Sequence, residues 1–420
     1  MSETHKAFAA ACLASPPAAF GALDRALRRR LIERLRGLEH GQLVLEDALG
    51  RVSLGAGGRD PELRVQLRID DPAVYRALAM NGSVGAGEAY IRGHWRCDDL
   101  IALTRLMVRN RALLDGMERG VARLGGWLLR AGAALKPNTR RGSRENIAAH
   151  YDLGNEFFAL FLSPDLMYSS ALWANGEQTL EQASTAKLEA ICAALELRPG
   201  DRLIEIGTGW GGFALHAARH YRCRVTTTTI SREQYALARE RIAAAGLADR
   251  VTVLREDYRD LGGRYDKLVS IEMIEAIGAR QLETYFAKLS ALLEPGGLAV
   301  LQAITIEDHR YAQALHAVDY IKRHVFPGSF IPSIQAMLEA KTRASELNLV
   351  QLRDFGPCYA RTLEEWRRRF LARRADVRAL GFDDRFMRLW EFYLAYCEAG
   401  FRERAIGVAH LKFEKPLRCA

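Results

Sequence analysis

The stretch at residues 203–216, LIEIGTGWGGFALH, constrains the fold of this chain more than any other. Residues 203–206 are apolar apart from one glutamate, which is typical of a strand buried in a parallel sheet. The glycines that follow, Gly207, Gly209 and Gly211, allow a tight turn and a close approach of the backbone to a bound ligand. Their spacing lacks the third glycine where the dinucleotide-binding fingerprint requires it, which argues against a pyrophosphate ligand. The stretch therefore predicts a strand, a ligand-binding glycine turn and a helix.

The surrounding sequence predicts a doubly wound, Rossmann-like α/β domain, because helical and strand patterns alternate from residue 180 to residue 303. We predict helices over 180–195, 211–220, 232–245 and 281–292, and strands over 202–206, 223–228, 251–254, 266–271 and 297–303. In sheets of this kind, ligands bind beyond the carboxyl ends of the strands, which is where Gly207, Thr229, Asp257 and Glu275 fall. Four separate segments are therefore expected to meet in one crevice.

A smaller α+β domain is predicted at the amino-terminal end. Residues 22–38 carry leucines at helical spacing together with six arginines, which predicts an amphipathic helix. A core stripe of leucines under a solvated arginine face is favoured there over an interfacial helix on anionic headgroups. Short alternating runs in residues 42–70 predict antiparallel strands and turns. The glycine-rich residues 81–90 predict a shaped loop, and a helix is expected to begin near Asp98.

The composition is that of a globular protein with two domains. The chain has 420 residues, of which 49% are hydrophobic, and a net charge of +9. Residues 101–141 contain nine basic and two acidic residues, so we expect this stretch to contact an anionic surface; a helix between domains with locally paired arginines is the alternative. The sequence contains no run of 18 apolar residues, so it predicts no membrane span. The seven scattered cysteines predict reduced thiols and a cytoplasmic location, and no metal site is expected.

Several motifs resemble those of the cyclopropane fatty acid synthases, bacterial enzymes that act on unsaturated acyl chains of membrane phospholipids. The resemblance covers about residues 60–413 and is much more specific than any single motif in it. It is carried by HYDLGNEFF (150–158), LMYSSALW (166–173), GTGWGG (207–212), TISREQ (229–234), MIEAIG (273–278), FPG (326–328), IPS (331–333), FG at 355–356 with Tyr359, and YLAYCEAGFR (393–402). The acid at 205 followed by the glycine loop also resembles the first motif of class I S-adenosylmethionine-dependent methyltransferases.

This resemblance implies that S-adenosylmethionine is the co-substrate. The residues implied to contact it are Tyr168, Ser169, Glu205, Gly207, Thr208, Gly209, Gly211, Thr229, Ile230, Gln234, Asp257 and Tyr258. Many methyltransferases bind the cofactor ribose with an acid after the second strand, and that acid is missing here. The resemblance implies that Gln234 contacts the sugar instead.

The resemblance also implies a set of catalytic residues. In the family a bound bicarbonate serves as the base, held by a cysteine, a glutamate, a histidine and a tyrosine. Glu275 and Tyr359 match the glutamate and the tyrosine, whereas Ser170 stands at the cysteine position and Gln302 at the histidine position. Because a glutamine amide carries no proton at neutral pH, bicarbonate binding is in doubt, and Glu275 itself is an alternative base. Cys397 matches a carboxyl-terminal cysteine of the family and is expected to line the site.

The implied reaction is transfer of the sulfonium methyl carbon to the cis double bond of an unsaturated acyl chain in a membrane phospholipid, forming a cyclopropane. Loss of the histidine makes a methyl-branched or methylene chain the runner-up, and a methyltransferase for soluble small molecules is a distant alternative. Aromatic and apolar residues are expected to line a dry pocket for the chain. These are Phe157, Phe158, Phe161, Tyr311, Tyr320, Phe326, Phe330, Phe392 and Tyr393.

The expected organisation has three parts. Residues 1–125 form an amino-terminal domain that associates with lipid or membrane, residues 126–148 a basic linker, and residues 149–420 the catalytic domain, with a helical insertion at about 306–345. The expected partners are unsaturated phospholipid acyl chains and the anionic inner face of the plasma membrane, to which the protein would bind peripherally. A homodimer is left open. Nucleic acid is not expected, because basic and aromatic residues do not interleave.

Overall fold

The computed structural model describes residues 19–55, 59–115 and 153–417. The chain divides into two compact units, residues 1–125 and residues 126–420. The predicted basic linker, the second half of the basic stretch at 101–141 and the motif residues His150 and Tyr151 lie outside the described residues.

The first unit combines helices with a four-stranded sheet. Its elements are α1 (Ala22–Leu35), β1 (His40–Asp47), β2 (Gly50–Leu54), β3 (Arg59–Ile69), α2 (Ala73–Ile91), β4 (Trp95–Cys97), α3 (Leu100–Arg109) and α4 (Arg111–Asp115). The strands lie in the order β2-β1-β3-β4. The helix expected near Asp98 is α3, whose first turn is capped by the Asp99 side chain accepting from the Ala102 N–H at 2.9 Å.

Two expectations for this unit are wrong. β1 and β3 pair in parallel, although β1–β2 and β3–β4 are antiparallel. Alternating apolar residues set the buried face of a strand but not its partner, so the pattern could not give this direction. Residues 81–90 are not a loop but belong to α2, which bends at Gly82 (φ 54°, ψ −130°). A Cβ on Gly85 would lie 2.0 Å from the carbonyl oxygen of Ala77, so the glycines permit a tight bend that keeps the segment helical.

The predicted leucine stripe of α1 packs along most of its length, because Leu27 and Leu31 are half-buried and Leu35 is buried. Asp24, Ile32 and Leu35 are buried, whereas Leu23 is 60% exposed. Arg28 binds the buried carboxylate of Asp47 at 2.6 Å. The predicted core stripe is therefore confirmed at Leu27, Leu31 and Leu35, whereas Leu23, at the start of the helix, lies in solvent.

The second unit is built on a seven-stranded mixed sheet with helices on both faces. Its strands are β5 (Arg202–Ile206), β6 (Arg224–Thr228), β7 (Val251–Leu254), β8 (Tyr265–Ile271), β9 (Leu293–Ile306), β10 (Asn348–Asp354) and β11 (Ile406–Glu414). Their order is β10-β11-β9-β8-β5-β6-β7, with β11 antiparallel to both neighbours and the other described pairings parallel. This confirms the predicted doubly wound α/β class.

The helices are α5 (Asn155–Ala159), α6 (Leu180–Ala194), α7 (Gly212–Tyr221), α8 (Arg232–Ala244), α9 (Leu282–Leu292), α10 (Asp308–His316), α11 (Tyr320–His324), α12 (Ile334–Ala344), α13 (Gly356–Ala372), α14 (Arg374–Ala379) and α15 (Asp384–Arg402). Two hydrophobic cores cover the sheet, one containing residues of α6 and α7 and the other residues of α9 and α12. Three short helices, α10 to α12, lie between β9 and β10, where the sequence predicts a helical insertion.

The sheet order fixes the position of the site. Chain order reverses between β5, which leads into the glycine loop, and β8, which lies beside it. Ligands bind at such a reversal, outside the carboxyl ends of the strands. Among the described residues, no helix has the length and apolar character needed to cross a membrane.

Candidate active site

The glycine loop after β5 has the backbone conformation that its sequence predicts. Gly207, Gly209 and Gly211 all have positive φ, at 97°, 51° and 84°. The N–H groups of Gly207 and Thr208 donate to the carbonyl of Thr228 at the end of β6, at 3.1 and 2.9 Å, which fixes the loop against the next strand. A Cβ on Gly209 would meet no atom within 4 Å, so the loop faces open space there.

Two buried hydroxyls, one in this loop and one after β7, fit a bound ligand. The hydroxyls of Thr208 and Tyr258 are enclosed and have no hydrogen-bond partner among the described residues. Thr208 and Tyr258 are 3% and 9% exposed. Buried polar groups are nearly always hydrogen-bonded in complete sites, so these hydroxyls are consistent with donors or acceptors supplied by the co-substrate.

The segment after β6 carries the residues expected at the cofactor sugar. Thr229 donates from Oγ1 to Oε1 of Gln234 at 2.8 Å, and Ser231 caps α8 by accepting from the Gln234 N–H at 3.2 Å. Thr229 and Gln234 are buried, and Ile230 is half-buried. The first turn of α8 is thus held to the end of β6, so Gln234 is an interior residue and not a surface one.

Asp257 is engaged with its own neighbour. Its carboxylate accepts two hydrogen bonds from the guanidinium of Arg259, at 2.8 and 2.7 Å, and one from the Arg259 N–H at 3.0 Å. Burial raises the pKa of the adjacent Tyr258 to about 12, so this hydroxyl keeps its proton.

Glu205 and Lys187 are two buried ionisable residues of the second unit. Glu205 is 2% exposed and accepts from Oγ1 of Thr227 at 2.6 Å; burial raises its pKa to about 8. Lys187, on α6, is fully buried and donates from Nζ to Oγ of Ser169 at 2.8 Å. Burial lowers the pKa of Lys187 to about 8, against the raising effect of the Asp165, Glu272 and Glu205 carboxylates.

Tyr168 connects the predicted cofactor segment with the carboxyl-terminal helices. Its hydroxyl lies 2.9 Å from that of Tyr393 on α15, and its ring lies 5.2 Å from Phe158 and 5.3 Å from Trp366. Phe158 itself is fully buried, as are Phe157 and Phe161, which were predicted to line the acyl pocket. These three phenylalanines pack on one another and on Trp390 as an aromatic core beneath Tyr168.

A carboxylate that the sequence reasoning missed, Glu272, lies at the centre of the predicted catalytic residues. Its Oε1 accepts from the backbone N–H of Ser170 at 2.9 Å and from Nε2 of Gln302 at 2.7 Å. Its Oε2 accepts from the hydroxyl of Tyr359 at 2.7 Å. Three residues from the 166–173 loop, β9 and α13 therefore converge on one carboxylate.

The position of Glu272 is held by its backbone. The residue directly follows β8 and has φ 49°, which lies in the left-handed region that residues other than glycine seldom adopt. Its N–H donates to the carbonyl of Gln302 at 2.7 Å. Such strain costs about 1–3 kcal/mol and is typical of functional positions.

The electrostatics of Glu272 suit a proton acceptor. Burial raises its pKa above the ordinary carboxyl value, while the donors Ser170, Gln302 and Tyr359 and the charge of Lys187 oppose the rise. A base works best when its pKa is close to the operating pH. Burial and the Glu272 charge raise the pKa of the Tyr359 hydroxyl well above its usual value, so Tyr359 remains a donor.

Glu275, the glutamate predicted from the family motif, has a different environment. Its Oε1 accepts from the N–H of Ile304 at 2.5 Å, and its Oε2 is enclosed with no partner among the described residues. Burial, together with the nearby charge of Glu272, raises the pKa of Glu275 to about 8. Glu275 is therefore protonated at neutral pH, where Glu272 can be the ionised member of the pair.

The side chains expected to hold bicarbonate do not fit it here. Ser170 was expected to offer its hydroxyl, but that hydroxyl donates to the carbonyl of Ala171 at 3.0 Å, and only the backbone N–H faces the site. The donors of Gln302 and Tyr359 are directed to Glu272. A second anion there would compete for the same donors and be repelled by the Glu272 carboxylate.

Cys397, on α15, follows Tyr393 by one helical turn as predicted. Burial raises the pKa of its thiol above the usual value, so it is a neutral side chain and not a thiolate nucleophile.

Sequence reasoning missed Glu272 because it matched residues to family positions, and the family glutamate falls on Glu275. One signal was present: an acid directly follows the predicted strand 266–271, next to the strand that carries the glycine loop. Lys187 and His410, which lies behind Gln302, gave no comparable signal, since a lysine in a helix and a histidine in a strand are usually surface or packing residues.

The fold and the glycine loop at the carboxyl end of β5 are those expected of an S-adenosylmethionine-dependent methyltransferase, and comparison with known proteins agrees. A family model described as mycolic acid cyclopropane synthetase matches residues 138–411, so the chain belongs to that family. The chain is therefore an S-adenosylmethionine-dependent methyltransferase that acts on lipid acyl chains.

Two curated relatives match almost the whole chain. The tuberculostearic acid methyltransferase UfaA1 of Mycobacterium tuberculosis is 37% identical over 94% of this chain and 92% of its own. The cyclopropane-fatty-acyl-phospholipid synthase of Escherichia coli is 33% identical over 89% of this chain and 93% of its own.

Solved structures match the catalytic part. The cyclopropane synthase MmaA2 of Mycobacterium tuberculosis superimposes with a TM-score of 0.61 at 28% identity, covering 65% of this chain and 98% of that one. The mycolic acid cyclopropane synthase CmaA1, solved with S-adenosylhomocysteine and CTAB, gives the same TM-score, identity and coverage.

We predict that Thr208→Val weakens S-adenosylhomocysteine binding about fivefold, the loss expected for one hydrogen bond of about 1 kcal/mol. Valine keeps the shape of threonine but removes a buried hydroxyl that has no partner among the described residues, so the stability of the ligand-free protein should stay the same or rise. Calorimetric titration and thermal unfolding measure the two effects. Unchanged affinity would show that this hydroxyl does not contact the co-substrate.

Proposed function

We propose that this chain transfers the methyl carbon of S-adenosylmethionine to the cis double bond of an unsaturated acyl chain in a membrane phospholipid, and that the product is a cyclopropane fatty acyl chain. The observation that carries the proposal is the Glu272 carboxylate, held by three donors beside the glycine loop strand. The two full-length relatives, with names that specify a fatty acid methyltransferase and a cyclopropane synthase, support the substrate class.

The reaction needs a base as well as a methyl donor. The π electrons of the double bond attack the sulfonium methyl, a carbon–sulfur bond breaks, and a carbocation remains on the acyl chain. When the new methyl loses a proton to Glu272, the electrons of that C–H bond close the ring. Glu272 ends protonated, and S-adenosylhomocysteine is released.

Glu272 suits this role better than Glu275. A proton acceptor must be ionised before the step, and Glu272 alone of the two has several donors to stabilise its charge. Glu275 has one donor, and its pKa of about 8 keeps it protonated at neutral pH. Its carboxyl is then available as a hydrogen-bond donor within the same crevice.

A methylene or methyl-branched product is the second candidate, and one observation favours it. None of the three groups that donate to Glu272 titrates near neutral pH: they are a backbone amide, a carboxamide and the Tyr359 hydroxyl, whose pKa is raised. None of these three donors can take the proton onward, so Glu272 returns slowly to its ionised form, and a cation that forms beside a protonated Glu272 keeps its proton longer. A longer-lived cation has time for a 1,2-hydride shift, after which proton loss leaves a methylene or a branched alkene.

The proposal is tested by incubating the purified protein with S-adenosylmethionine carrying a labelled methyl group and vesicles of unsaturated phospholipid. We expect labelled acyl esters, and mass-spectrometric fragmentation to separate a ring from a branch or a methylene. Label in a methylene or branched chain would support the second candidate instead. No label in lipid, with co-substrate binding retained, would contradict both and favour a soluble small-molecule substrate.

We predict that Glu272→Gln lowers kcat about 100-fold or more, because an amide cannot accept the proton. In the wild type, kcat/KM should fall as the pH drops through the Glu272 pKa, which burial places above the ordinary carboxyl value, since protonation removes the base. The matched variant Glu275→Gln keeps an acceptor for the Ile304 N–H and a neutral side chain, so we expect its kcat to fall much less than that of Glu272→Gln. Equal losses, or an unaltered acid limb in Glu272→Gln, would remove Glu272 from the proton-transfer step.

We also propose that the amino-terminal unit binds anionic membrane surfaces through α1 and the basic stretch that begins with α3. Arg25, Arg29 and Arg30 are exposed and form no ion pair within the part of the chain that the structure describes. The exposed Leu23 lies on the same helix. Exposed arginines together with an exposed apolar side chain on one helix are expected of an interfacial helix.

We predict that Arg29→Glu/Arg30→Glu weakens binding to vesicles of phosphatidylglycerol and phosphatidylcholine at least tenfold, because each basic residue near an anionic surface contributes about 1 kcal/mol. The control Arg219→Glu/Arg224→Glu changes the net charge equally at exposed positions of the catalytic unit and should bind like the wild type. Vesicle co-sedimentation at several salt concentrations measures both. Equal weakening in the two double variants would indicate a nonspecific charge effect.

A further inference from the structure

His410 lies directly behind the proposed catalytic carboxylate, on the far side of Gln302. β11 and β9 pair antiparallel, and His410 and Gln302 are opposite one another in the register. Nε2 of His410 lies 2.9 Å from Oε1 of Gln302. His410 is 7% exposed and Gln302 is 1% exposed, so both make this contact away from bulk water.

The contacts of Gln302 determine which end of its amide faces the site. The end nearest Glu272 lies 2.7 Å from a carboxylate oxygen and 3.2 Å from the carbonyl of Ser170, both of which only accept. This end must therefore be the NH₂ group, with one hydrogen for each acceptor. Its oxygen is then directed at His410, whose Nε2 must carry the hydrogen.

The ring of His410 is held in one place and one charge state. It packs edge-on against Phe355, with centroids 4.6 Å apart. Burial lowers its pKa to about 3, and the positive charges of Lys187 and Arg353 contribute in the same direction. The ring is thus neutral over the physiological range and acts as a fixed donor, not as a titrating group.

We propose that His410 is a positioning residue: by donating from Nε2 to the Gln302 oxygen, it locks the Gln302 amide with its NH₂ directed at Glu272. The inference rests on the proposed role of Glu272 as the base. Without His410, only the two acceptors at the NH₂ end oppose a half-turn of the amide, and protonation of Glu272 removes one of them, so the flipped amide directs its oxygen at the protonated Glu272. That orientation stabilises a protonated Glu272, which can donate to the oxygen, and destabilises the ionised form that the reaction requires.

The proposal predicts a specific kinetic signature in His410→Leu, which removes the donor and fills the space with an apolar side chain. We expect the acid limb of the kcat/KM profile to move up by about one pH unit, so that activity below the limb falls about tenfold. On the alkaline plateau, where Glu272 is ionised, kcat should remain within a few-fold of the wild type. His410→Gln restores an N–H donor and should return the limb towards the wild-type position, whereas the exposed His316→Phe should not move it.

A double variant shows whether His410 acts through Gln302. Gln302→Leu should itself move the limb upward, because Glu272 loses a donor, and adding His410→Leu should produce no further shift. An additional shift in the double variant would contradict the proposal, as would an unmoved limb in His410→Leu. His410→Phe, which keeps an aromatic ring against Phe355, serves as a second deletion if the leucine variant does not fold, and S-adenosylhomocysteine affinity verifies the fold of each.

The two proposals fail in different ways. If Glu272 is not the base, Glu272→Gln retains the acid limb and substantial activity. If Glu272 is the base but His410 does not position Gln302, Glu272→Gln is nearly inactive while His410→Leu keeps the wild-type limb.

Discussion

The hydrogen bonds to the Glu272 carboxylate are the interaction on which the catalytic crevice depends. They join the 166–173 loop, β9 and α13 to the end of β8, so one side chain ties together elements that are distant in sequence. A carboxylate away from water is costly unless donors replace its hydration, and each of these donors carries part of that stabilisation. The left-handed backbone at Glu272 persists because this set of contacts outweighs its strain.

Charge balance explains why only one of three neighbouring carboxyl groups is suited to accept a proton. Glu205 and Glu275 both have pKa values raised to about 8, and burial is the main cause for each. Lys187 is a fully buried cation whose charge acts on both Glu205 and Glu272. The charge of Lys187 interacts with Asp165 as well as with Glu205 and Glu272. An ionised Glu272 also favours the positive charge of a sulfonium nearby.

The sequence predicted the catalytic fold well because its signals are local. Apolar runs, amphipathic spacing and the glycines after β5 each depend on a few adjacent residues, and they gave the alternation of helices and strands from α6 to β9. The amino-terminal unit was harder. The parallel pairing of β1 with β3 is set by partners, not by pattern, and the bend at Gly82 allows a helix where glycines suggested a loop.

The site was only partly predictable, because its hydrogen bonds join residues that are distant in sequence. Tyr359, Gln302 and Ser170 were identified from motifs, but what they bind depends on three-dimensional convergence: their donors are directed at Glu272, which no motif position marked. The side chain of Ser170 was expected to matter, whereas its backbone N–H does. Asp257 was also predicted from its position after a strand, and in the described structure its carboxylate is paired with Arg259.

A tethered carboxylate and an exchangeable anion make different demands on the protein. A bound anion needs a cage with surplus donors and a route for entry, and its occupancy depends on its concentration in solution. Glu272 is always present, and its orientation is set by β8 and by the donors around it. On the proposed role of Glu272, the protein itself sets the basicity of the site. Gln302 is a carboxamide that does not titrate near neutral pH, and the neutral His410, one strand away, lies within hydrogen-bond distance of its oxygen. The pKa of Glu272, the proposed base, is thus raised by burial and held down by the Ser170, Gln302 and Tyr359 donors and by the charge of Lys187.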